Sequence, residues 1–165
     1  MGIHNYYLLV SLSLIAAVQC QWAVDVARLE AQKSSANITK IPFSDDCLDC
    51  ICETIDCTMI NTCKGDYCGP FSITRVYWKD AGYPTVIFDD KDSDGAYERC
   101  ANDLDCARQT VIKYMETHPF DCNSDTIIDC SDYGAIHFGG IYKCRSPLSP
   151  VIGAKFSSCL SRMKI

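Results

Sequence analysis

"CLDCICETIDCTMINTCKGDYCGPF", residues 47–71, carries six cysteines: Cys47, Cys50, Cys52, Cys57, Cys63 and Cys68. Such a run can be a metal cage, a redox centre or a disulfide frame, and the compartment decides among them. The first 20 residues hold no Asp, Glu, Lys or Arg, and Tyr6 to Val18 ("YYLLVSLSLIAAV") is an apolar run of signal-peptide length. Val18-Gln19-Cys20 places fairly small residues at the −3 and −1 positions, so cleavage is expected after Cys20. The run is too short and too near the terminus for a membrane span. The expected product is secreted and soluble, with no membrane partner. Loss of Cys20 leaves twelve of the 13 cysteines, an even set: the six above with Cys100, Cys106, Cys122, Cys130, Cys144 and Cys159. In an oxidising compartment this predicts six disulfides. Zinc needs separated ligand pairs; Cys47-Leu-Asp-Cys50 has that shape, but Cys50-Ile-Cys52 is too tight to complete a second pair. The run is a frame.

What the frame surrounds is bounded by charge and length. A net charge of −6 argues against nucleic acid and against electrostatic attack on anionic membranes. The chain is long enough for one domain with a true core. Residues 21–42 read as a polar extension, with a glycosylation sequon at Asn37-Ile38-Thr39, and residues 43–165 as the domain. Ser44 before Asp45 and Asp46 reads as a helix N-cap with two acids in the first turn, opening a helix that runs to about Asp56. On it Cys50 and Cys57, seven apart, share a face and can staple it to different neighbours. "KGDYCGPF" has hairpin turn chemistry, and "SITRVYWKDAG" (72–82) reads as a second helix. Residues 83–95 read as a loop ending in a solvated acidic run. A third helix is expected from Asn102 to His118-Pro119, on the spacing of Leu104, Ala107, Val111, Tyr114 and Met115. A shorter one is expected around Asp132 to Phe138. The class is α+β: mostly helical, disulfide-rich, with one small hairpin.

An ordered set of fragments resembles the invertebrate-type lysozymes, the group that includes destabilase: "CLDCIC" (47–52), "CKGD" (63–66), "CGPFSI" (68–73), "YWKDAG" (77–82), "KYM" (113–115) and "DYGAIHFGG" (132–140). The resemblance covers about residues 43–159. It implies a lysozyme-like fold and hydrolysis of the β-1,4 bond of bacterial peptidoglycan by a secreted antimicrobial or digestive glycosidase; some members also cleave isopeptide bonds. The chain departs from the family pattern in three places. Ala81 and Thr110 stand where members often have cysteines, and losing both keeps the count even. The family's active pattern, "CxCICxxESGC", has a glutamate where this chain has Ile55, and "CETIDC" is one residue short. The partner aspartate of "CxxD" matches Asp66.

A retaining glycosidase uses two carboxylates about 5–5.5 Å apart, one protonated and one ionised. Asp66 matches one. On a helix, Glu53 and Asp56 are turned by about 200° and 100° from position 55, so Asp56 is the better stand-in and Glu53 the worse. Three functions follow: a weak muramidase using Asp66 with Asp56 or Glu53; a degenerate glycan-binding protein; or an isopeptidase with His137 as base and a nucleophile such as Ser72. Tyr77, Trp78 and His137 are candidate substrate-binding residues, with core packing or a helix end as the plainer reading. Independently, Asp121, Asn123, Asp125, Ile127, Asp129 and Asp132 have calcium-loop spacing, although Thr126 replaces the usual Gly. No cofactor is required, and any calcium would be structural. Cys122 and Cys130 could instead close that loop without metal. The expected partner is peptidoglycan or a related glycan, met by a monomer.

Overall fold

Ser44 caps the first helix as its position implies: its hydroxyl accepts from the Cys47 amide, and α1 spans Asp45–Ile55. The helix buries Cys47, Leu48, Cys50, Ile51 and Thr54, the stripe that 3.6-residue periodicity puts on one face. The computed structural model describes residues 38–57 and 62–163. The apolar leader and Asn37 lie outside the described residues. Ahead of α1, β1 (Thr39–Lys40) pairs in parallel with β5 (Ile127–Ile128), Thr39 opposite Ile127. The Tyr133 hydroxyl donates to the Ile41 carbonyl at 2.8 Å. Residues 39–42 therefore belong to the folded unit, Thr39–Ile165, where sequence placed them in the extension.

The hairpin is the first two strands of a three-stranded antiparallel sheet: β2 (Cys63–Lys64), β3 (Tyr67–Cys68) and β4 (Ile73–Thr74). Cys63 faces Cys68 and Cys68 faces Ile73. β4 takes the start of the expected second helix, and α2 is left with Arg75–Asp80, capped by Thr74 accepting from the Tyr77 amide. Gly69 sits where a Cβ would lie 1.5 Å from the Ala101 carbonyl oxygen, so only glycine lets the sheet lie so close to α3 (Ala96–Asn102). That helix was not anticipated. α4 (Leu104–Thr117) opens on Asp103 as its cap, one residue after the expected Asn102. α5 spans Cys130–Gly139 and α6 Pro150–Leu160, the latter also unforeseen. A Cβ on Gly134 would strike the Phe156 ring at 2.1 Å, so α5 packs closely on α6. Leu48, Phe71, Val111, Met115, Tyr133 and Ile136 fill the core between them.

All twelve cysteines pair. Cys47–Cys130 and Cys50–Cys159 tie α1 to α5 and α6, and Cys100–Cys106 links α3 to α4. Cys52–Cys57 and Cys63–Cys68 are local clamps. Cys57 therefore does not staple α1 to a distant neighbour: it lies past the helix end and turns back on Cys52. Nor do Cys122 and Cys130 close the 121–132 loop, since Cys122 pairs with Cys144. Among the described residues no helix is long and apolar enough to cross a membrane.

Candidate active site

The turn between β2 and β3 carries Asp66 to the wall of a cavity of about 530 Å³. Its floor is built by α3. The Tyr97 hydroxyl donates to the Ile73 carbonyl at 2.6 Å and reaches the Asp66 carbonyl at 3.2 Å, fixing the backbone that presents the carboxylate. Burial, and then the neighbouring Glu98, push the Tyr97 phenol up to about 12, so it acts only as a neutral donor. The Arg75 guanidinium lies 4.6 Å from the Tyr97 ring centroid and pairs with Glu98. The second Glu98 oxygen, Oε2, is buried without a hydrogen-bond partner, as is Oδ1 of Asn102 one turn on. Sequence reading missed Tyr97 and Glu98, because α3 was hidden behind the acidic run, and with them Arg75 of α2, whose partners both lie on α3. No local sequence signal places Glu98 in the same cavity wall as Asp66.

The end of α1 supplies no partner to this cavity. Ile55 is its last residue. Glu53 is exposed and paired with Arg162 of the C-terminal region. Asp56 is the C-cap, in left-handed backbone at φ 56°, its amide returning to the Cys52 and Glu53 carbonyls. Neither residue is among those that line the Asp66 cavity. The structure thus gives the hairpin carboxylate its cleft but does not bring Glu53 or Asp56 to it.

A second cavity, of about 500 Å³, adjoins the first: Thr74 and Val76 line both. Tyr77 and His137 meet here, the phenol oxygen 3.3 Å from Nδ1, with the Tyr77 ring stacked 3.8 Å from that of Tyr114. Burial holds the His137 imidazole down at about 4, partly offset by a backbone hydrogen bond to Phe71, and raises the Tyr77 phenol well above 10, helped by Tyr114. Both groups are neutral near pH 7. Ser72 lines the same cavity in left-handed backbone, φ 50°. Trp78 does not join them. It is 3% exposed, stands in the core, and its Nε1–H donates to the Pro84 carbonyl at 2.6 Å. The helical turn that points Tyr77 at the cleft points its neighbour inward.

The 121–132 loop is organised by its own backbone. Asp132 is 1% exposed, and its carboxylate accepts from the amides of Cys122, Asn123 and Asp129, the last within a capping box with Asp129. Burial raises its pKa against the lowering effect of those three bonds. Asp121 accepts from the Ser124 and Thr126 amides, Asn123 from Asp125, and Asp125 from Ile127. Among the described residues no three His, Cys, Asp or Glu side chains stand together as a metal site.

A disulfide-framed α+β domain with an aspartate on a hairpin, over a cleft walled by helices, defines a lysozyme-like protein. The Destabilase family model matches residues 44–159, and the chain belongs to that family, the invertebrate-type lysozymes. It is 34% identical to the lysozyme of Ostrea edulis over 111 residues, covering 64% of this chain and 72% of that protein. It is equally similar to invertebrate-type lysozyme 3 of Caenorhabditis elegans over 107 residues, covering 62% and 76%. Among solved structures, a chain of the Aeromonas hydrophila PliI complex with Meretrix lusoria lysozyme matches with a TM-score of 0.52. That match has 25% identity and covers 73% of this chain and 91% of that one.

Proposed function

We propose that the protein is a secreted muramidase that hydrolyses β-1,4 bonds of bacterial peptidoglycan slowly, with Asp66 as its cleft carboxylate. The observation that carries this is the position of Asp66, held by Tyr97 on the wall of a cavity that shares Thr74 and Val76 with a second, aromatic one. Asp66 would face the anomeric carbon and stabilise the oxocarbenium-like transition state. Proton delivery to the leaving oxygen is the weak half. Glu53 is turned to Arg162, and Glu98 has one oxygen on Arg75 and the other buried. General acid help is worth about 10²–10⁴ in rate, and its loss leaves a slow enzyme. A turbidity assay on peptidoglycan from pH 4 to 8 tests this: slow clearing by the wild type and none by Asp66→Asn is expected. Equal clearing by both would remove Asp66 from the mechanism.

The occupied state of those carboxylates also favours a second reading, a binding protein that keeps the cleft without the chemistry. Retention on peptidoglycan by a wild type that clears none of it would select that reading. An isopeptidase is less favoured. Ser72 and His137 share a cavity, but the imidazole nitrogen faces the Tyr77 hydroxyl, and burial makes it a weak base.

A further inference from the structure

The loop after α2 and the outer face of α4 border a third cavity, of about 650 Å³. The loop is anchored at both ends. Trp78 holds its start through the Pro84 carbonyl, the Asp89 amide donates to the Val86 carbonyl at 3.0 Å, and Arg99 holds the Asp89 carboxylate at 2.8 Å. Between these anchors Ile87 is kept 84% exposed. Pro84, Val86 and Ile87 give the cavity an apolar wall, and α4 gives it Asp105, Gln109 and Lys113. Those three stand at i, i+4 and i+8, so an acid, an amide and a base form a row along one helix face, about 12 Å from first to last at 1.5 Å per residue. All three are exposed, and among the described residues their side chains hold no hydrogen bond or ion pair. Asp103, at the acidic end, keeps one oxygen on the Cys106 amide. An extended chain advances about 3.3 Å per residue, so the row matches a peptide of about three to four residues. The complement of this slot has an ammonium at one end, a carboxylate at the other, an amide between them and small apolar side chains toward the loop. A neutral sugar has nothing for either end of the row, and a polyanion would meet the two aspartates.

We propose that this slot binds the stem peptide of peptidoglycan, with Asp105 receiving its lysine-type ammonium, Lys113 its terminal D-alanine carboxylate, Gln109 a peptide group, and Val86 and Ile87 the alanine methyls. The identity of the peptide rests on the peptidoglycan reading of the Asp66 cleft. Lys113 is followed by Tyr114, which lines the aromatic cavity, so the basic end of the slot lies one residue along α4 from the cleft. The test is calorimetric titration with the glycan-free, N-acetylated tetrapeptide L-alanyl-γ-D-glutamyl-L-lysyl-D-alanine, beside the hexamer of N-acetylglucosamine. The wild type should bind the tetrapeptide. Asp105→Asn and Lys113→Gln should each weaken it about three- to tenfold, the range of one exposed charged contact, and leave the hexamer unchanged. Acetylating the peptide's lysine should abolish the effect of Asp105→Asn alone, and amidating its terminal carboxylate that of Lys113→Gln alone, because each pair then lacks one partner. Both positions are exposed, and an unchanged melting temperature checks that the variants fold. Tetrapeptide binding unmoved by either substitution, or equal affinity for the α-linked, all-L peptide of the same composition, overturns the stem-peptide site. Binding of the hexamer without the tetrapeptide also overturns it and leaves the Asp66 reading standing. Tetrapeptide binding with the expected losses, by a protein that neither binds the hexamer nor clears peptidoglycan, overturns the Asp66 reading and supports the slot.

Discussion

Two clamps of the same size, Cys52–Cys57 and Cys63–Cys68, each join cysteines five positions apart, yet they do opposite things for the cleft. The second closes a hairpin whose turn lifts Asp66 onto a cavity wall. The first closes the end of α1, and there Glu53 is drawn to Arg162 while Asp56 is used as a left-handed cap. A disulfide fixes where backbone goes; which side chain faces the cleft is set by helical phase. One residue more or less in a helical segment turns everything after it by about 100°. On the proposed reading, "CETIDC", one residue shorter than the pattern it resembles, turns the end of α1 so that neither Glu53 nor Asp56 lines the Asp66 cavity.

The largest effect expected is on stability, and it separates long-range staples from local clamps. Cys50–Cys159 spans 109 positions, and closing so long a loop is worth about 4.7 kcal/mol in the chain-entropy account, against about 2 kcal/mol for the five-position clamp Cys52–Cys57. Paired Cys→Ala variants compared in denaturant titrations should show that order. An equal loss at both would mean that the α1 clamp holds more than its own loop. Next comes repair of the α1 end. Ile55→Glu, with one residue restored after it, should raise the hydrolytic rate by about 10², the low end for general acid catalysis. If the insertion folds and gives no gain, helical phase is not what separates the two clamps.

The sequence made α1 legible because its signals are local: Ser44, two acids, and a stripe of buried residues. The helix α3 was not, because it has only seven residues, and its cap is Gly95 at φ 78°, with no side chain to announce it. α6 does open on Ser149 and Pro150, but Gly153 and the nearby prolines mask its period. In the site, Asp66 was legible only through the resemblance that "CKGD" carries; by residue type alone it is a turn aspartate. Its neighbours Tyr97 and Glu98 come from an element thirty residues on, and only tertiary packing brings them there. Tyr77 and Trp78 were not told apart for a related reason: on a helix of six residues, sequence does not say which of two adjacent aromatics faces solvent. The disulfide pairing was illegible throughout, because long-range partners follow from packing.

The aromatic cavity should show itself through pH. His137 titrates at about 4 in the folded chain against an ordinary 6.5, so the unfolded state takes up its proton first. Its contribution to stability is fully present above pH 6.5 and is lost as pH falls toward 4, by about 1–3 kcal/mol. His137→Gln should flatten that stretch of the stability curve. Asp132, whose pKa is raised by burial, acts in the opposite sense at the acidic end, and Asp89, held near 2 by Arg99, loses its contribution only at still lower pH. The difference between wild type and variant isolates the imidazole. Parallel curves would mean that His137 is open to water, and that the second cavity is wetter than its walls suggest.

The smallest expected effect is the most direct test of the contrast between the clamps. Glu53 is exposed and its pair with Arg162 is a surface ion pair, a type that contributes about 0–1 kcal/mol. Glu53→Gln should therefore leave the melting temperature nearly unchanged. If its carboxylate is only a surface charge, hydrolysis of peptidoglycan should also stay at the wild-type rate across pH 4 to 8, while Asp66→Asn loses it. The two substitutions are chemically alike, each replacing one carboxylate oxygen by an amide nitrogen on an exposed side chain, so a difference between them reports place rather than charge. A loss of activity in Glu53→Gln with unchanged stability would place the proton donor on α1 after all. The Arg162 contact would then open when glycan binds, and the end of α1 would not be the silent half of the cleft.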